Sequence, residues 1–108
     1  MLRPLLGATL LWGAATALPA FAQDADPHLG RNLAAACANC HGTNGASTGG
    51  MPYLAGQQKR YLIERMQEFK TGKRPSTIMH QIAKGYTDEQ IEALAAYFSA
   101  QKAQAGTP

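Results

Sequence analysis

From Asp26 onward the apolar residues recur at steps of three and four, and nowhere do they alternate strictly with polar ones. That period predicts an all-α chain. Leu29, Leu33, Ala36 and Cys37 fall on one face of a first helix, with Asp26 placed to cap it and Pro27 at its first position. Gly30 inside this helix lowers its propensity, which points to a packing reason. Gln57 to Lys70 reads as a second amphipathic helix. Tyr61, Leu62, Arg65, Met66 and Phe69 form its stripe; Lys59, Arg60, Glu64 and Glu68, with the head group of Arg65, occupy the solvated side. Gly72 ends it, and Lys73-Arg74-Pro75 opens a linker.

The last helix carries the strongest local signals. Thr87 caps it, Gln90 three residues on completes a capping box, and Asp88 and Glu89 suit the positive end of its dipole. Ile91, Leu94, Ala95 and Phe98 share one apolar face, with Tyr97 beside it. Gly42 to Gly56, by contrast, is rich in Gly, Ser, Thr and Asn and has no period, so it reads as a loop. It lacks the lysine and the preceding strand of a phosphate-binding loop. Gly106-Thr107-Pro108 reads as a frayed tail.

Met1 to Ala22 follows a different pattern. Arg3 supplies a positive start, Leu5 to Leu18 an apolar core, and Ala20-Phe21-Ala22 a small-x-small cleavage site. This is a secretory signal over residues 1–22, leaving a mature domain over 23–108 with no transmembrane segment. An uncleaved anchor is the alternative, disfavoured by Gly7, Gly13, Pro19 and the cleavage site.

Charge excludes one class of function. Without Arg3 the chain keeps nine Lys and Arg against seven Asp and Glu, and no basic cluster interleaves with aromatics. Nucleic acid is therefore not an expected partner. A domain this small buries a modest core and ordinarily needs a staple or cofactor.

The candidate chemistry is concentrated in Cys37-Ala38-Asn39-Cys40-His41. Two thiols two residues apart, followed by a histidine, form the attachment sequence of a c-type haem. Each thiol forms a thioether with one vinyl group, and His41 lies next to them as the proximal iron ligand. A thioredoxin-like pair would follow a strand, a structural zinc site would need a second ligand pair, and a simple disulfide would leave His41 without a role.

These five residues, with Gly42-Thr43-Asn44-Gly45 and Pro52-Tyr53-Leu54-Ala55-Gly56-Gln57, resemble the class I cytochromes c. The likeness is to the subgroup holding the haem subunit of flavocytochrome c sulfide dehydrogenases and related periplasmic one- and two-haem carriers. It implies a small fold of about four helices around one covalently attached haem c. It also implies that the Pro52 carbonyl accepts a hydrogen bond from His41, that Gly30 lets the first helix cross the last against an aromatic residue, for which Tyr97 is the candidate, and that the location is the periplasm. Four side chains compete for the sixth iron position: Met51, Met66, Met79 and His80. The resemblance favours Met79, nine residues before Asp88, while His80 would give a lower potential. Lys73 or Arg74 could neutralise a haem propionate, with a plain solvated turn as an equal alternative.

Together these readings describe a periplasmic one-electron carrier serving a respiratory or sulfur-oxidising chain, with redox proteins as partners. One alternative is the haem subunit of a flavocytochrome c sulfide dehydrogenase, paired with a flavoprotein. Another is a gas-binding or peroxidase-like haem protein, which would need an open iron position. If the leader is cleaved as expected, intact mass measurement of the exported protein will place its first residue at Gln23; a mass retaining residues 1–22 would show an anchor instead.

Overall fold

A computed structural model describes residues 26–103. The expected signal over 1–22 and the tail Gly106–Pro108 lie outside the described residues. Within them every regular element is helical: α1 (Leu29–Ala34), a 3-10 turn (Ala35–Cys37), α2 (Ala38–His41), α3 (Lys59–Thr71), α4 (Met79–Ala83) and α5 (Asp88–Ser99). A second 3-10 turn covers Thr43–Gly45. Because Ala34, Ala35, Cys37 and Ala38 all keep right-handed helical dihedrals, α1, the turn and α2 form one continuous helical path. The architecture is thus four helical runs.

Local chemistry accounts for most boundaries. Thr87 and Gln90 form the reciprocal capping box of α5, with bonds of 3.2 and 2.9 Å. Gly72 ends α3 in the left-handed conformation, φ +78°, where a Cβ would be strained. The start of the first helix differs from the sequence expectation. The Asp26 carboxylate does accept the His28 N–H at 2.8 Å, but the Leu29 N–H turns back to the Asp26 carbonyl at 3.0 Å. That three-residue closure makes residues 27–28 a turn, and α1 begins after it. Helix α4, five residues long with no side-chain cap bond, was not expected from the pattern.

The core sits where α1 and α3 meet α5. Ala34, Leu62, Leu94, Ala95 and Phe98 form its buried cluster, with Leu33, Leu54 and Tyr97 packed around it. The α1–α5 crossing is unusually close. A Cβ built on Gly30 would lie 2.4 Å from the Ala93 carbonyl oxygen and 3.1 Å from the Tyr97 Cβ. Gly30 therefore has its packing reason, and Tyr97 is its aromatic neighbour. On the outer side, Gln67 and Lys70 of α3 both bond the Asp88 carboxylate at 2.9 Å, fixing the start of α5 against α3.

Gly30→Ala should force α1 off α5, because the obstructing atoms belong to backbone and cannot rotate away. Overpacking of this kind costs about 1–3 kcal/mol, to be read as a lowered thermal midpoint; an unchanged midpoint would mean the crossing is looser than described.

Candidate haem site

His41 closes the helical path begun at α1 and is the one buried polar or charged residue among those described, 7% exposed. The Pro52 carbonyl, eleven residues on, accepts a hydrogen bond from His41 Nδ1 at 2.7 Å. A carbonyl can only accept, so the proton sits on Nδ1 and Nε2 carries the free lone pair. That is the tautomer a metal needs, and such a bond also raises the basicity of the ring.

The same ring lines a cavity of about 400 Å³. Cys37 and Cys40 stand on the wall beside it, both free thiols, so the disulfide alternative is not formed. Burial pushes the Cys37 thiol above its ordinary pKa, with the Cys40 charge adding to the shift. Every member of the α3 stripe reaches this cavity: Tyr61, Leu62, Arg65, Met66 and Phe69. Leu94, Ala95 and Phe98 of α5 close the back. The helical period of α3 therefore converts directly into one apolar wall.

Of the candidates for the sixth position, Met51, Met66 and Met79 line the cavity. His80 is not among the lining residues, and its Nε2 lies 3.0 Å from the Gln81 side-chain amide. Met51 is next to Pro52, on the His41 side of the loop, whereas Met79 comes from the N-terminus of α4. Of the two cations considered for a propionate, Arg74 reaches the cavity and Lys73 is exposed in the linker.

One lining residue, Tyr86, escaped the sequence reading, and one residue of the expected stripe, Arg65, carries charge to the cavity that the pattern did not assign. Tyr86, between α4 and α5, stands on the wall with its phenol pushed up by burial and secondarily by Cys37. The Arg65 guanidinium lies over the Tyr61 ring at 5.0 Å and bonds Glu68, while its Nε is buried with no partner. The Arg74 Nε also bonds Glu68, at 2.8 Å. Two cations thus share one carboxylate at the edge of an apolar cavity, and one N–H remains unspent. That excess suits an anionic group on an otherwise apolar ligand. The position of Arg65 at the stripe's margin was the available signal.

These residues fit a haem. The walls are mostly apolar, two thiols and an imidazole stand together, and Arg65 and Arg74 on the same lining could meet the anionic groups that a haem would bring.

Comparison with known proteins gives the family and the fold. Residues 27–102 match the family model described as cytochrome c. The chain is 44% identical over 69 residues to the cytochrome subunit of sulfide dehydrogenase of Chlorobaculum tepidum, covering 64% of this chain and 63% of that protein. It is 37% identical over 103 residues to the thiosulfate dehydrogenase electron acceptor of Stutzerimonas stutzeri, covering 93% of this chain but 48% of the relative. Among solved structures, that of Acidithiobacillus ferrooxidans cytochrome c4 superposes with a TM-score of 0.58 at 45% identity, covering 60% of this chain and 38% of that one. The chain therefore spans about half to two thirds of the length of these curated relatives.

The Arg65–Glu68–Arg74 cluster gives a pH prediction. The hydrogen bond from Arg74, then the charges of Arg65, Arg74 and Lys73, hold the Glu68 carboxyl below its ordinary pKa. A depressed carboxyl stabilises the fold above its unfolded pKa, and that share is lost as pH falls through the folded value. Thermal midpoints of wild type and Glu68→Gln should thus differ at neutral pH and converge on acidification; a constant gap would exclude the ionised cluster as its cause.

Proposed function

The chain belongs to the cytochrome c family, whose members transfer electrons, and we propose that it is an exported, periplasmic one-electron carrier with a single haem c held by His41 and Met79. The observation that carries this reading is the Pro52–His41 hydrogen bond inside a cavity that also holds both thiols. Haem, when bound, supplies the ferric–ferrous couple.

The chain's own residues do the rest. Cys37 and Cys40 would tether the group through two thioethers, so that it could not exchange. His41, oriented by Pro52, offers Nε2 as a basic donor. Met79 offers a soft thioether, which favours the ferrous state and raises the potential. Its place on the cavity wall, and the absence of His80 from the lining, support Met79 over His80. Leu62, Phe69, Leu94 and Phe98 keep water from the cavity, which lowers the reorganisation needed when charge moves. Arg65 and Arg74, both on the cavity lining, would meet the carboxylates of a bound haem.

For partners, the likeness to a cytochrome subunit of sulfide dehydrogenase and to a thiosulfate dehydrogenase electron acceptor favours redox proteins of sulfur oxidation. A second reading, a subunit bound permanently to a flavoprotein, rests on the first of those relatives. Among the described residues no helix is long and apolar enough to cross a membrane, and the leader pattern supports the periplasm.

The test is the weak far-red absorption band of methionine-ligated ferric haem, recorded on wild type and Met79→Ala. The band should be present in the first and lost in the second, while Met51→Leu and Met66→Leu retain it. A wild type without the band would sink the His41–Met79 assignment and bring the open-site reading forward.

A further inference from the structure

The loop from Gly42 to Gly56 carries the carbonyl that orients His41, so whatever holds this loop sets that bond. Its middle is open to solvent: Thr48, Gly49, Gly50 and Met51 are exposed, and nothing lies within 4 Å of a Cβ built at Gly49 or Gly50. Beyond the 3-10 turn at Thr43–Gly45 and the Gln57 amide on the Tyr53 carbonyl at 3.2 Å, backbone bonds hold it at both ends. At the far end the Gly56 N–H donates to the Phe98 carbonyl of α5 at 2.9 Å. At the near end the Gly45 carbonyl accepts from Leu54 at 2.9 Å and Ala55 at 3.2 Å, which folds the loop back on itself.

One side-chain bond ties that near end to the helical core. The Tyr97 hydroxyl donates to the Asn44 side-chain oxygen, across fifty-three residues of sequence. Asn44 sits at φ +55°, a left-handed conformation that asparagine tolerates better than most residues. Tyr97 is doubly engaged: its Cβ packs over Gly30 at the α1–α5 crossing, and its ring meets Phe98 edge-on. The hydroxyl bond to Asn44 is separate from both of these contacts.

We propose that Tyr97 is a positioning residue: by holding Asn44 it fixes the loop whose Pro52 carbonyl sets the orientation and donor strength of His41. The inference rests on the reading of His41 as an iron ligand. The chain of effects is physical at each step. A loop freed at Asn44 lets the Pro52 carbonyl move off the Nδ1–H. The imidazole then becomes a weaker donor, ferric iron loses stabilisation, and the potential rises.

Tyr97→Phe keeps the ring and both packing contacts and removes only the hydroxyl. Asn44→Gly keeps the left-handed backbone and removes only the acceptor. Both variants and their combination would be prepared as haem-loaded protein. Midpoint potential, exchange of the His41 Nδ1 proton followed by NMR, and the thermal midpoint are then measured on each. Each single variant should raise the potential and speed that exchange severalfold, with the double variant shifting no further than the larger single one.

Unchanged potential and exchange in both single variants would overturn the proposal, whatever the thermal midpoint does, because a purely structural tie lowers stability alone. Additive shifts in the double variant would overturn it too, since the two groups would then act separately. The far-red band of the wild type reports on Met79 independently. Its absence would refute that ligand assignment while leaving the proton-exchange comparison to decide on Tyr97.

Discussion

The structure depends on how closely α1 can approach α5. With hydrogen in place of a side chain at Gly30, the backbone of α1 lies against the Ala93 carbonyl and the Tyr97 Cβ. From that contact the helical path runs without interruption to Cys37, Cys40 and His41. The position of both thiols and the imidazole is therefore fixed by a crossing at the opposite end of the path. The other side of the same α5 supplies Leu94, Ala95 and Phe98 to the cavity. One helix thus serves as the reference for both the attachment segment and the wall facing it. Rigid packing of this kind transmits small displacements instead of absorbing them.

The cavity separates two electrical environments. On the His41 side an imidazole is held by a backbone carbonyl. At the edge, Arg65 and Arg74 crowd around the single carboxylate of Glu68. A low-dielectric interior between them strengthens both interactions, and it makes an unpaired charge expensive. An apolar disc with anionic edges satisfies both ends at once. A purely apolar ligand would leave the arginine edge unanswered, and a polar one would conflict with the walls.

How much of this could be read in advance depended on the range of each interaction. The capping box of α5 and the glycine stop of α3 involve neighbours three or four residues apart, and both were legible. So was the α3 stripe, all of whose members reach the cavity. Helix α4 was not, because five residues without a side-chain cap carry too little pattern to distinguish from linker. The first turn before α1 was misread by two residues. Asp26 makes its expected bond, yet the backbone closes a tighter turn than an α-helix. Arg65 was ambiguous because a residue at the margin of a stripe can send its stem to one side and its head to the other.

By itself the sequence determined the all-helical class, the clustering of two thiols and a histidine, and the faces of α3 and α5. These follow from covalent spacing and helical period, which act within a few residues. Only the tertiary structure decided which of four side chains share a cavity with His41 and which cation reaches it. It alone brought the Tyr97 hydroxyl to Asn44 and left the Arg65 Nε without a partner. Such relations join residues far apart in the chain, and nothing in local propensity records where two distant elements will meet.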